Sequence, residues 1–590
     1  MGDAGGPVRT SPPVLAEHMH RGLTWLEGTH PSDGKWPGLT VNEKKVADGM
    51  RIDKDVPVTL RDGVVIYVDI YRPEQEQPDE KLPILMTWSP YGKHGPKTFD
   101  IFPNAGVPKG SVSRYAAWEG PDPMHWTKRG YAVINGDGRG SWGSEGDCEI
   151  LGLQEAYDGY DVVEWAAALP WSNGRVGLAG VSYLAITQWR IASLQPPHLA
   201  CINPWEGFSD FYREYAFHGG IPETNFVKFM EWSCRCSFGK VEDWLALHEA
   251  HPLLDDYGRS KSVQDWKQVQ VPAYVVADWG DQGLHTRGTL YSFSQLGSSQ
   301  KWLEVHGRKK WAYYYQPASL VRQEAFYQKF LKLESSETDH WPPVQIEVRD
   351  RNWVGTVRAE QEWPLARQQA VYKYLDAATG TIGDKIPAKI ASVSYNSEKQ
   401  DDHVHFECLF DKETELTGSM RLRLWVSTNN GDDAGASGGA SADDMDLFVQ
   451  LDKVAPGGPE APVIPFVAMS MIDEGPMALG WLRVSHRELD TAKSTVDRPW
   501  LQHRRLLPLR PNEIVPVDIE IWPSSTRFLA GQKLRVTVQG NDIFRYPLRQ
   551  VQLHENTVNK GRHFIHTGGS YDSYLVLPVV ETPSKEDKKE

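Results

Sequence analysis

From about residue 60 to residue 335 the chain alternates two hydrophobic rhythms. Short apolar or alternating runs at Val64–Tyr71, Pro83–Trp88, Tyr131–Asn135, Arg175–Ala179, Ala200–Asn203, Ala273–Ala277 and Trp302–Val305 have the length and β-branched content of strands. Between them lie stretches of helical periodicity, among them Gln154–Leu169, Ile186–Leu194 and Ser319–Leu333. Strands that alternate with helices predict a largely parallel sheet covered on both faces. Residues 206–268 break the rhythm: they are aromatic, amphipathic and helical in tendency, with no buried-strand run. An insertion at that point would lie as a lid over the C-terminal ends of the strands, where open α/β sheets bind their ligands.

After about residue 345 the pattern changes. Phe406–Phe410, Arg421–Ser427, Asp446–Leu451, Val515–Trp522, Lys533–Gln539 and Tyr574–Val579 are short strands punctuated by Gly, Pro and Asp, with no helices between them. This predicts an all-β sandwich or jelly roll. The expected organisation is an N-terminal arm (1–50) with one helix near Ala16–Leu26, an α/β domain (51–205 and 269–345), a helical cap (206–268) and a C-terminal β jelly roll (346–590). Asn429–Asp444, rich in Gly, Ala, Asp and Ser, reads as a disordered hairpin connection rather than a calcium loop.

Composition narrows the partners more than the fold. A length of 590 residues fits two or three domains. A formal charge of -15, spread along the chain, argues against nucleic acid or an anionic membrane as partner. Cys148, Cys201, Cys234, Cys236 and Cys408 form neither a disulfide framework nor a zinc spacing. No basic-plus-apolar leader and no membrane-spanning run is seen, and Pro583–Glu590 is a charged tail, so a cytoplasmic protein without cofactor or metal is expected.

The candidate chemistry centres on Gly180-Val181-Ser182-Tyr183-Leu184-Ala185, between a strand-like and a helix-like run. A serine on a sharp strand-to-helix turn is how α/β hydrolases expose a nucleophile. The usual glycine two after the serine is Leu184, with a small residue one later at Ala185. The serine needs a base and an acid to orient it. The strand Ala273–Ala277 is followed by Asp278, Asp281 and His285, and the strand Trp302–Val305 by His306, so two acids and two histidines compete for these roles in the order Ser, acid, His. Singly, each has a bland reading: a turn serine, a helix-capping aspartate, a histidine bonded at a strand end. The joint order at three strand ends is what carries weight. Gly138-Arg139-Gly140-Ser141-Trp142-Gly143 matches a dinucleotide fingerprint, but no helix opens there, so that site is set aside.

Asp137-Gly138-Arg139-Gly140 with Ser144-Glu145-Gly146, then Trp171-Ser172-Asn173-Gly174-Arg175-Val176-Gly177 leading into Gly180-Val181-Ser182-Tyr183, resembles the signature of the X-Pro dipeptidyl-peptidase / cocaine esterase family. Arg61–Pro73, Leu422–Ser427 and Ile519–Leu534 resemble its first strand pair and its jelly roll, so the likeness spans about 55–580. The resemblance implies an α/β-hydrolase domain, a helical cap and a jelly roll. It maps the nucleophile to Ser182, the acid to Asp281 in Trp279-Gly280-Asp281, and an oxyanion tyrosine to Tyr91 in Ser89-Pro90-Tyr91-Gly92. The backbone N–H of Tyr183 would be the second oxyanion donor. The family's histidine, aligned on Gly307, falls at Trp311, which cannot act as a base. His306 is therefore the expected base and His285 its rival.

The resulting expectation is a serine hydrolase acting on an ester or amide of a small molecule. Alternatives are acyl transfer or cyclisation on the same fold, an X-Pro dipeptidyl aminopeptidase, and a β domain that binds carbohydrate. The partner is a small-molecule substrate, not nucleic acid or a membrane; a homo-oligomer is left open.

Overall fold

The structure, a computed structural model, describes residues 22–29, 38–75, 81–93, 102, 104–429, 443–510, 512–546, 548 and 551–581. Most of the loop 429–444, the tail 583–590 and the first part of the expected helix near Ala16–Leu26 lie outside them. The end of that expected helix is instead a strand: Trp25–Glu27 pairs antiparallel with Lys240–Glu242.

The first half is a largely parallel α/β sheet. Its strands are β1 (Met50–Thr59), β2 (Val65–Pro73), β3 (Leu82–Ser89), β4 (Ala132–Asp137), β5 (Ser172–Val181), β6 (Leu199–Trp205), β7 (Ala273–Asp278), β8 (Lys301–His306) and β9 (Val344–Arg351). Hydrogen bonding places them in the order β1-β2-β4-β3-β5-β6-β7-β8-β9, antiparallel from β1 to β4 and parallel from there to β9. Alternate residues feed two cores: Ile84 and Met86 of β3 face one, Leu85 the other. Burial on both sides is why these strands read as near-continuous apolar runs. Helices α1 (Leu153–Ala167) and α2 (Tyr183–Ser193) pack around the sheet, α3 (Phe226–Cys234) and α4 (Trp244–Ala250) lie in the segment between β6 and β7, and α5 (Thr286–Gln295), α6 (Lys310–Tyr315) and α7 (Pro317–Tyr327) again pack around the sheet. The strand order reverses around β3, β4 and β5, and such a switch point opens a crevice at the strand C-termini.

Between β6 and β7, residues 206–268 carry α3, α4, further single turns of helix, and the short antiparallel pair Phe217–His218 with Ile221–Pro222. From β9 onward the chain is β-rich. The long strand Thr414–Asn429 pairs with Val515–Phe528, Tyr574–Val580 and Arg562–Thr567, while Lys533–Gln539 pairs with His403–Leu409 and Asp446–Val454. Leu422, Leu424, Val449, Leu451, Ile519, Val536 and Leu575 from these strands share one buried core. The two halves are joined edge to edge, since Arg349 of β9 pairs with Thr526. Among the described residues no helix is long and apolar enough to cross a membrane.

Candidate active site

Ser182 sits between β5 and α2 with φ 59° and ψ -117°. A non-glycine residue held there stores about 1–3 kcal/mol of strain, which the surroundings must impose. Two hydrogen bonds do so: Ser182 N–H donates to Trp205 O (2.9 Å) and Val181 N–H to Glu119 O (3.1 Å). Gly180 has φ 131°, and a Cβ there would lie 2.6 Å from Leu184 Cδ2. Leu184, where a glycine is usual, thus packs over the space that Gly180 leaves. Ala185 is small because Gly207 crosses it; a Cβ on Gly207 would come within 3.0 Å of the Ala185 Cβ.

Ser182 Oγ lies 3.3 Å from His285 Nε2. On its other side the His285 ring hydrogen-bonds through Nδ1 to Asp281 Oδ2. A carboxylate at Nδ1 keeps the proton on that nitrogen and leaves Nε2 as the acceptor facing the serine. Both residues belong to one loop: the Asp281 carbonyl accepts the N–H groups of Leu284, His285 and Thr286, so acid and histidine are one turn apart. Phe208 stacks on the imidazole, with centroids 6.5 Å apart.

His306, the expected base, is not at the serine. It is still part of β8, paired in register with Asp278 at the end of β7. Its Nδ1 accepts the N–H of Arg308 (3.1 Å), its ring packs on Tyr313 (4.0 Å), and its Nε2 lies 3.4 Å from Glu206 Oε1 without hydrogen-bond geometry. A residue inside a strand cannot swing across the crevice, whereas His285 rides on a loop that returns to the elbow. The rival histidine is therefore the one in contact.

The loop after β8 contributes Lys310 instead. Its Nζ donates to Asp281 Oδ2 (2.8 Å), lies 3.2 Å from His285 Nδ1 and 3.8 Å from Glu206 Oε2. Burial works against the Lys310 cation, but Asp281, Glu206 and Glu119 together raise its pKa. Burial would push Asp281 up; Lys310, and after it His285, overcome this and hold the carboxyl well below the usual range. Burial, then Lys310, depress His285 to about 4 against the pull of Asp281. Burial lifts Glu119 and Asp278 to about 8 each and also raises Glu206, so these acids hold protons near neutrality.

Tyr183 opens α2, so its backbone N–H has no acceptor within the helix. Its hydroxyl donates to Glu155 (3.0 Å) and accepts the N–H of Leu151 (3.2 Å), which fixes the residue. Tyr91 meets it edge to face at 5.4 Å, and burial keeps the Tyr91 phenol protonated. Around the elbow Tyr91, Tyr183, Leu184, Phe208, Phe226, Met230 and Leu284 belong to one apolar cluster.

The part that the β-rich half plays here is not legible in local residue patterns. Its residues Met469 and Ser470 form a tight turn, both with positive φ (48° and 57°). Met469 N–H donates to Gly280 O (2.6 Å), Lys310 N–H donates to Ser470 O (3.1 Å), and Ser470 Oγ donates to Asp278 (3.1 Å). Gln282 bridges Pro523 O (3.0 Å) and the Leu479 N–H (3.2 Å), and His218, bonded to His554 (2.7 Å), contacts Gly283 O (2.6 Å). The loop that carries Asp281 and His285 is thus clamped from the C-terminal half. Among the described residues no cluster of His, Cys, Asp and Glu is arranged to hold a metal.

The chain matches the family model of the X-Pro dipeptidyl-peptidase (S15 family) over residues 62–235 and that of the X-Pro dipeptidyl-peptidase C-terminal non-catalytic domain over residues 337–576. It is 39% identical to a CocE/NonD family hydrolase of Staphylococcus aureus of known structure, covering 94% of this chain and 99% of that one with a TM-score of 0.85. Cocaine esterase of Rhodococcus sp. (strain MB1 Bresler) is 23% identical over 90% of this chain and 99% of its own length. A solved α-amino acid ester hydrolase, 18% identical, shares the fold over 93% of this chain and 100% of its own, with a TM-score of 0.66.

Proposed function

The chain belongs to the CocE/NonD and X-Pro dipeptidyl-peptidase (S15) family of hydrolases, and on that premise we propose that it is a serine hydrolase cleaving an ester or amide bond of a small molecule through an acyl-enzyme on Ser182. The observation that carries this reading is the line Ser182–His285–Asp281, with 3.3 Å between Ser182 Oγ and His285 Nε2. In the proposed cycle His285 Nε2 takes the Ser182 proton as Oγ attacks the carbonyl carbon, while Asp281 holds the ring and the Nδ1 proton. Charge on the carbonyl oxygen is met by the Tyr183 N–H and the Tyr91 hydroxyl, donors worth about 3 kcal/mol each when aimed at the oxyanion. His285 then returns its proton to the leaving group. A water deprotonated by the same nitrogen attacks the acyl carbon and frees Ser182.

The apolar cluster beside the elbow supports a substrate whose acyl side is hydrophobic. We read residues 206–268 as a cap over this crevice and the β-rich half as a jelly roll whose part in the reaction is to hold the catalytic loop. The test is covalent. A fluorophosphonate probe is expected to label Ser182 in the intact protein and to leave Ser182→Ala unlabelled, and aryl esters are expected to be hydrolysed by the former alone. Unlabelled protein together with a full panel of intact aryl and alkyl esters would overturn the proposal.

A further inference from the structure

We propose that Lys310 is a positioning residue of this site: its ammonium shares the Asp281 carboxylate with His285 and thereby sets how readily His285 accepts a proton. The proposal rests on the reading of Ser182, His285 and Asp281 given above. Its ground is geometric. Lys310 stands at the start of α6, is 4% exposed, and points its Nζ at the one carboxylate oxygen that His285 Nδ1 also uses. The three atoms form a triangle, with Nζ 2.8 Å from Asp281 Oδ2 and 3.2 Å from His285 Nδ1. The Lys310 backbone is pinned as well, by the carbonyl of Ser470 (3.1 Å).

A buried ammonium is costly unless it is paired, and a hydrophobic side chain would fill the space more cheaply. Its effect follows from charge. In a serine–histidine–acid arrangement the carboxylate stabilises the imidazolium that forms during reaction. With Lys310 on the same oxygen, the acid–ammonium pair is neutral overall, and imidazolium formation places a second cation 3.2 Å from the first. The histidine is a weaker base, but it stays unprotonated and competent in acid.

The other groups near the ring do not reverse this. Burial keeps Glu206 and Glu119 protonated near neutrality and below, so neither brings a charge to the ring where it titrates. His218, against the Gly283 carbonyl, is held neutral by burial, and Arg287 is paired with Glu214 and Glu520. Phe208 covers one face of the imidazole and brings no charge. Burial is the largest influence on the ring, and Lys310 and then Asp281 are the charged side chains that act on it in opposite senses.

The experiment is the pH profile of kcat/KM for a p-nitrophenyl ester in the full chain, comparing the parent with Lys310→Met and Lys310→Arg. The parent is expected to lose activity only near pH 4, where His285 protonates. In Lys310→Met the acid limb should move up by about 1 to 3 pH units, the range that a neighbouring charge at this distance produces. Lys310→Arg keeps the charge and should keep the limb within about half a unit of the parent. A merely structural lysine would lower the rate at every pH and leave the limb in place; that result, or an equal shift in both variants, overturns the proposal. If Lys310→Met does not fold, the titration of the His285 ring in the ¹⁵N-histidine-labelled parent, assigned by its loss in His285→Ala, decides instead. Protonation at or above about 6.5, the ordinary value, overturns it. Fluorophosphonate labelling of the parent in the same samples separates a failure of this proposal from a failure of the hydrolase reading.

Discussion

The loop after β7 and the last residue of β8 each bring a buried histidine beside carboxylates, and the two histidines have opposite surroundings. His285 lies on a returning loop, with a serine at one ring nitrogen and an aspartate at the other. His306 is still inside its strand, with a backbone N–H at Nδ1, a tyrosine across its face and a protonated glutamate near Nε2. Both are depressed by burial. Position at a strand end therefore does not make a histidine reactive. What matters is whether the backbone has left the strand before the side chain, so that the ring can reach a neighbouring strand's turn.

The sharpest way to break this comparison is to remove each ring. We expect His285→Ala to lower kcat/KM by at least about 10³-fold, as loss of a triad member does, and His306→Gln to change it by less than about 10-fold. Equal losses in ester hydrolysis by the two purified, folded variants would show that the loops act as one unit. A smaller effect is expected from the clamp. A Cβ on Gly280 would lie 2.5 Å from Val467 O, so Gly280→Ala should push the 278–285 loop off the β-rich half. Displacing a general base by an ångström costs about 10²-fold, so kcat should fall by roughly that factor with little change in the thermal midpoint. A kcat within twofold of the parent would say that the clamp is not needed.

The mildest test concerns the acids that flank His306. Glu206 and Asp278 bind protons more tightly folded than unfolded. The native state then holds more protons than the unfolded one between the ordinary carboxylate range and about pH 8, so stability should fall as pH rises through that window. Above about pH 7, where the histidines lowered by burial are largely neutral in both states, thermal midpoints should decline to about pH 8.5, and Glu206→Gln should flatten the slope. An identical slope in the two proteins would remove Glu206 from the account.

Much of this was written in local pattern. Burial on both faces made β3, β5 and β7 legible as apolar runs, and the Gly180–Ser182 turn declared itself through its flanks. β1 was missed because Asp53, Lys54 and Asp55 interrupt its alternation; Asp55 is buried against Lys93, a partner that spacing cannot reveal. The choice between His285 and His306 was likewise not local. It turns on where β8 stops and on how the 278–285 loop bends back, which the contacts to Met469, Leu479 and Pro523 determine. One signal was present: a histidine four residues after the acid, close enough to share a turn with it. The role of Lys310 had no such signal, because a lysine after a strand reads as solvated surface.

The turn at Met469–Ser470 also bears on how this protein is made. Chains emerge from the ribosome N-terminus first, and the nucleophile elbow is complete some three hundred residues before Ser470 arrives. His554, whose ring braces His218 and through it Gly283, comes later still. A nascent chain can fold its sheet and display Ser182, yet its acid–histidine loop stays unbraced until Ser470 and His554 have emerged. A product that stops short of Ser470 would present the elbow without the turn that holds Asp278 and Lys310.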